Sequence, residues 1–318
     1  DTLLAHMTAK EQNAFCRNLG YRVINAINRV AVVTPHALVA SAILNNTQER
    51  FARSDLLFII EIYMAYLATQ KAKLADTLVM DQVHAVDQAI ESYVHRKFIE
   101  PVTQDKDDPS SPMIYGVNDA KRPSLEYYKN NCIAFFIPAA FTALTILEKD
   151  AFQFSSVDLH AGYRFWQDFF KYEFAYDIDQ TAEYHVRKTI KAFIDEAILM
   201  PHPTLPDTYN VTSAGFRKLK LFSIFVKTYL ESYWIVLNFF MRTPPDSHKV
   251  KDRLKKIEAR GNRMFKRREV ERREALSKVS YQNAVDFFTS RGIKDAGNTE
   301  QIEFYAAALR QALKCLQA

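Results

Sequence analysis

Glycine and proline are scarce in this sequence, with 7 and 11 in 318 residues. So few glycines exclude collagen-like repeats and argue against glycine-rich phosphate loops and turn-rich β-sandwiches. Cysteine is scarcer still: Cys16, Cys132 and Cys315 are odd in number and far apart. That pattern excludes a disulfide frame and a Cys-x-x-Cys metal pair, and it implies reduced thiols in a cytoplasmic setting. No signal peptide is expected, since residues 1–20 form an amphipathic stretch without a long apolar core. Long apolar runs are also few. Residues 132–147 are uncharged but fall short of the roughly 20 a spanning helix needs, and Pro138 lies inside them. Residues 221–241 are long enough, but Lys227 and Glu231 near the middle are costly in hydrocarbon. Both runs are expected to be core helices of a soluble or membrane-peripheral protein. The first residue is Asp1, not Met, and the chain reads as a piece of a longer protein.

What is present is a large apolar fraction, 48%, with 23 Phe and 16 Tyr, enough to fill the cores of two or three units. The net charge of +5 is unevenly placed. Residues 249–273 hold 12 Lys or Arg against 4 carboxylates, whereas the rest of the chain has 30 against 33. Such a run suits anionic lipid headgroups, a nucleic-acid backbone or acidic partners, or else forms a solvated helix face with internal ion pairs.

Helical periodicity dominates. Thr34-Pro35 starts a helix over 36–44, and Ser54 or Asp55 caps one over 56–70. Residues 79–98 read as a further helix. The runs IEPV and MIYGV around a Pro/Asp/Ser loop then predict a hairpin over 99–117, followed by a helix over 124–147. The pattern recurs with helices over 157–172 and 182–196, a hairpin around Pro201, Pro203 and Pro206, and a long apolar helix over 215–241. Aligned, the two copies are offset by about one hundred residues, the mark of a duplicated unit. A shorter third copy is expected from 246 onward, because 284–293 resembles the helix end before each hairpin. The expected fold is mainly α, with tandem winged-helix-like units in an elongated array. The divisions fall at 1–50 (connecting helices), 51–150, 151–245 and 246–318.

Winged-helix units invite a nucleic-acid reading. The candidate reading helices argue against it: one carries Asp87 and Glu91 beside Arg96 and Lys97. The other offers Arg187, Lys188 and Lys191, but its hairpin has no basic residue. No nucleic-acid partner is expected. Catalytic and metal motifs are equally thin. His84, Asp87 and Glu91 share a helical face, and His185 has Asp179 and Glu183 nearby, but amphipathic exposed faces give the same pattern. The His-x4-Asp spacing that lets a carboxylate orient an imidazole for acyl transfer reads as absent among the eight histidines. No catalytic residue, metal or cofactor is expected in this stretch.

Three stretches carry a resemblance: INAINRVAVVTPHALVASAIL (24–44), YYKNNCIAFFIPAAFTAL (127–144) and ARGNRMFKRREVERREALSKVSYQNAVDFFTSRGI (259–293). In this order they resemble the C-terminal half of glycerol-3-phosphate acyltransferases, a group related to dihydroxyacetone-phosphate acyltransferases, over nearly the whole chain. The resemblance implies a parent enzyme that transfers a fatty acyl group from acyl-CoA or acyl carrier protein to glycerol 3-phosphate. It also implies peripheral attachment to the inner face of the cytoplasmic membrane. The family's catalytic motifs precede this region, so the partners expected here are the parent's own N-terminal acyltransferase domain, an anionic membrane surface and the acyl donor. Lys249, Lys251, Lys255, Lys256, Arg260, Arg263, Lys266, Arg267 and Arg268 are the candidate docking residues. Tyr127, Tyr128, Asn130 and Asn131 are assigned a structural role, as buried groups that lock one unit to the next.

Overall fold

The computed structural model describes residues 7–46, 48, 50–102, 112–149, 151–177, 179–245 and 250–317. Helix α1 (Ala9–Val30) begins at a capping box, in which Thr8 and Glu11 satisfy each other's backbone N–H groups. It lies on the body by its polar side. Tyr21 donates to the Lys171 carbonyl at 3.1 Å, Asn25 to that of Tyr176 at 3.1 Å, and Arg29 pairs with Asp177. Phe15, Leu19, Val23, Ile27 and Val30 recur three or four residues apart and face outward, 41–64% exposed.

The first unit follows. Helix α2 (Pro35–Asn45) starts as expected, with Pro35 in its first turn and Thr34 Oγ1 accepting from the Ala37 N–H. Strand β1 (Arg50–Ala52) leads into α3 (Arg53–Gln70), where Asp55 does not cap the helix but reaches back from its third position to the Ala52 N–H. The expected 79–98 helix is two helices, α4 (Asp76–Met80) and α5 (Gln82–His95), because Asp81 leaves helical geometry and caps the second. The hairpin is present as β2 (Ile99–Val102) and β3 (Ile114–Val117); most of its loop, 103–111, lies outside the described residues. Strand β1 completes an antiparallel sheet of order β1-β3-β2. The expected 124–147 helix is α6 (Arg122–Asn130) and α7 (Ile133–Glu148), which meet at a 95° bend.

The second unit repeats this order: β4 (Gln153–Ser155), α8 (Ser156–Phe169), α9 (Ala182–Asp195), β5 (Leu199–Pro201), β6 (Thr208–Val211) and α10 (Gly215–Ser223), with sheet order β4-β6-β5. A 3-10 turn over Ile224–Val226 separates α10 from α11 (Lys227–Met241). The chain ends with α12 (Val250–Lys266), a 3-10 turn over Arg273–Ala275, α13 (Lys278–Ser290) and α14 (Thr299–Cys315). Helices α5, α9 and α13 share one ending. A residue with positive φ (Lys97, Ala197, Gly292) is followed by an N–H that bonds back five residues, to the carbonyls of Tyr93, Phe193 and Phe288.

Two aromatic clusters join the parts. Tyr63 and Tyr66 of α3 meet Phe136, Phe222 and, from Tyr63, Phe225. The equivalent residues of α8, Trp166 and Phe169, anchor the other, in which Phe169 contacts Tyr233, Phe287 and Tyr305. The protein is thus mainly helical, with two small antiparallel sheets. Among the described residues, no single helix is long and apolar enough to cross a membrane.

Candidate functional site

The basic run forms α12 and the turn after it. Ile257, Gly261 and Met264 form the helix's buried face. A Cβ at Gly261 would stand 2.3 Å from the Tyr281 hydroxyl and 3.3 Å from Ile235, so α12, α13 and α11 approach closely at this glycine. The opposite face exposes Lys255, Lys256, Arg263 and Lys266, and Arg267 and Arg268 continue it. Arg260 departs from the expected docking set. Its guanidinium donates to Asn238 Oδ1 at 2.9 and 2.7 Å and fixes α12 to α11. Lys249 and the Lys251 side chain lie outside the described residues.

The turn after α12 is tied from inside. Glu231, buried in α11, accepts the backbone N–H groups of Glu271 (3.1 Å) and Arg272 (2.8 Å). Lys227, also buried, donates to the Glu271 carboxylate and to the Leu316 carbonyl. These are the two charges that stood out within the apolar 221–241 run. Burial pushes the Glu231 carboxyl up to about 7 in spite of its donors.

Between this turn and the first sheet lies a cleft of about 890 Å³. Among the described residues six cations line it, from three parts of the chain: Arg50 on β1, Arg122 at the head of α6, and Lys266, Arg268, Arg272 and Arg273 from α12 and the turn. Arg122 is held by Glu274 at 2.9 Å. Burial, and then the neighbouring Arg122 charge, push the Arg272 pKa down. Arg268 holds a left-handed conformation, φ 58°, at the helix end. The charge run made α12 visible in the sequence, but Arg50 and Arg122 stand far from it there and gave no signal.

The four structural residues divide. Tyr128 is part of the packing: its hydroxyl accepts from Arg96 at 2.7 Å, and its ring meets those of His36 and Tyr93. Tyr127 is 69% exposed, and Asn130 and Asn131 are also exposed, contrary to their expected burial. The reason is the phase of α6, which buries Leu125 and Lys129 one turn apart and leaves Tyr127, Asn130 and Asn131 on the outer side. The buried group there is Lys129, paired with Glu126 at 2.7 Å. Asn130 still links two units, accepting from the Tyr229 hydroxyl at 3.3 Å.

One spacing escaped the sequence reading. His202 and Asp207 do form a His-x4-Asp pair. The geometry is that of the β5–β6 turn. His202 Nδ1 accepts the backbone N–H groups of Thr204 (3.2 Å) and Leu205 (3.1 Å), so it carries no proton for a carboxylate to hold. Asp207 instead lines a separate cleft with His160 and Arg187. Asp87 is engaged by Arg53 at 2.8 Å. Among the described residues, no three His, Cys, Asp or Glu side chains are placed to hold a metal.

Comparison with curated proteins gave no match. Comparison with family models matched the glycerol-3-phosphate acyltransferase C-terminal region over residues 3–296, a span that includes both sheets, all three resemblance stretches and the cation-lined cleft. The chain belongs to the glycerol-3-phosphate acyltransferase C-terminal region family.

Proposed function

We propose that this chain is the non-catalytic C-terminal part of a glycerol-3-phosphate 1-O-acyltransferase. The parent transfers a fatty acyl group from acyl-CoA or acyl carrier protein to glycerol 3-phosphate in phospholipid synthesis. In this reading, 51–150 and 151–245 are two winged-helix-like units and 246–318 a shortened third, and together they support the parent's acyltransferase domain. The repeated strand order supports the unit reading, since each hairpin takes one extra strand from the segment just before the unit's first helix. Charges on the candidate reading helices are engaged by other parts of the chain. Asp87 pairs with Arg53, Lys188 donates to the Gln70 carbonyl at 3.2 Å and Glu183 pairs with Arg164. That use favours a scaffold over a nucleic-acid reader.

The observation that carries a docking role is the outer face of α12, where Lys255, Lys256, Arg263 and Lys266 stand on the side away from Ile257 and Met264. We assign this face to the anionic surface of the cytoplasmic membrane, where each cation near the surface is worth about 1 kcal/mol. Charge reversal at Lys255, Arg263 and Arg267 is expected to lower binding to vesicles containing phosphatidylglycerol by at least tenfold at low salt. Unchanged binding removes the membrane assignment. Loss of binding to acyl carrier protein with vesicle binding intact transfers the face to the acyl donor. Retention on duplex DNA in preference to vesicles favours the nucleic-acid reading.

A further inference from the structure

The cleft beside the docking face has a chemistry of its own. We propose that the cleft between the β1-β3-β2 sheet and the turn after α12 binds a phosphomonoester, carried either by a small soluble molecule or by a lipid headgroup. Among the described residues its lining is strongly unbalanced, with six cations against the carboxylates of Asp119 and Glu271, the second already engaged by Lys227. Arg50, Lys266, Arg268 and Arg273 have no ion pair among the described residues. Like charges gathered from separate segments repel one another, and Arg272 is partly withdrawn from water next to Arg122. A bound dianion reverses the sign of that interaction.

The ligand class follows from the donors. Five of the six cations are guanidinium groups, whose planar forks match the oxygens of a phosphate group. The volume, about 890 Å³, suits a small phosphorylated molecule or one headgroup and is too small for a folded partner. Val102, Val117, Phe265 and Val270 give part of the wall an apolar surface for the ester substituent.

The test uses the full chain at constant ionic strength. Inorganic phosphate is titrated calorimetrically, and vesicles containing phosphatidic acid are compared with phosphatidylglycerol vesicles of equal surface charge. Saturable phosphate binding is expected, weakened at least tenfold by Arg268→Gly and by Arg50→Gln, while Lys255→Gln with Arg263→Gln leaves it unchanged. Arg268→Gly is also expected to unfold no earlier than wild type, which separates lost binding from lost structure. Preference for phosphatidic acid assigns the headgroup as the source; equal retention with saturable phosphate binding assigns a soluble ester. The site is overturned by absence of saturable binding in both arms, by unchanged binding in the Arg268 and Arg50 variants, or by an equal loss in the α12 control. The site shares Lys266 and Arg268 with the edge of the docking face, but the two tests substitute different residues, so either can fail alone.

Discussion

At the scale of single residues, buried charge explains more than exposed charge. Glu148, at the end of α7, accepts from Trp166 Nε1 at 3.1 Å, and burial pushes its carboxyl up to about 8. An acid whose folded pKa lies above its ordinary value of 4.5 favours folding most when protonated. Its contribution is therefore complete below about pH 4.5, declines as pH rises towards 8, and is flat beyond. Glu148→Gln keeps an acceptor for Trp166 and removes the titration. Urea unfolding should show the variant more stable than wild type at pH 8.5, by on the order of 2 kcal/mol, with no gain at pH 4. Equal stability at both values would contradict the assignment. Glu231 and Glu173, pushed up to about 7 and about 6, add to the same decline. Lys227 and Glu231 are conspicuous in the sequence as charges in an apolar run, but their partners lie some 40 residues on, at a separation that no local pattern encodes. Asn130 and Asn131 were misplaced for the opposite reason: apolar neighbours in sequence do not imply burial on the outer side of α6.

At the scale of elements, helices were legible because their apolar period and caps are local, as at Thr34-Pro35. Strands β1 and β4 were not. Each has three residues, too few to show alternation, and each exists because β3 or β6 offers a free edge. Close helix contacts were equally hidden. Gly162 of α8 faces Thr145 of α7 so tightly that a Cβ would lie 2.2 Å from Thr145 Cγ2 and 2.6 Å from its Oγ1. Gly162→Ala therefore has to push two helices apart. It should cost about 1–3 kcal/mol, although alanine is the better helix former. The check is the denaturation midpoint of Gly162→Ala beside that of Gly20→Ala, whose added methyl meets nothing within 4 Å and should stabilise α1 slightly. Equal midpoints for the two variants would refute the close-contact account.

At the scale of the whole molecule, the repeat was readable because two copies of one pattern stand about a hundred residues apart. How the copies join was not, because the joining residues are aromatic and look like ordinary core. Helix α7 belongs to both units. It begins in the Tyr63–Phe136 cluster and runs on against α8, α9 and α10. Helix α11 likewise meets α12, α13 and α14. Neither unit has a private core, so calorimetry should record one transition in which the second unit does not melt apart from the first. Two resolved transitions would show that the aromatic clusters are weak contacts. Phe136→Ala, which opens the first cluster, should lower the whole transition by about 3–5 kcal/mol and leave it single.

The 95° bend between α6 and α7 has a consequence for how long an apolar path the chain offers. Hydrophobic length is counted along a path, and this path turns a corner. By length and composition, the two helices over 119–148 taken together amount to a candidate membrane segment. Once folded, the straight apolar part is α7 alone, 16 residues or about 24 Å, less than the roughly 30 Å of a bilayer core. The corner at Asn131–Cys132 therefore divides the run into two shorter lengths, neither of which reaches across a bilayer core by itself.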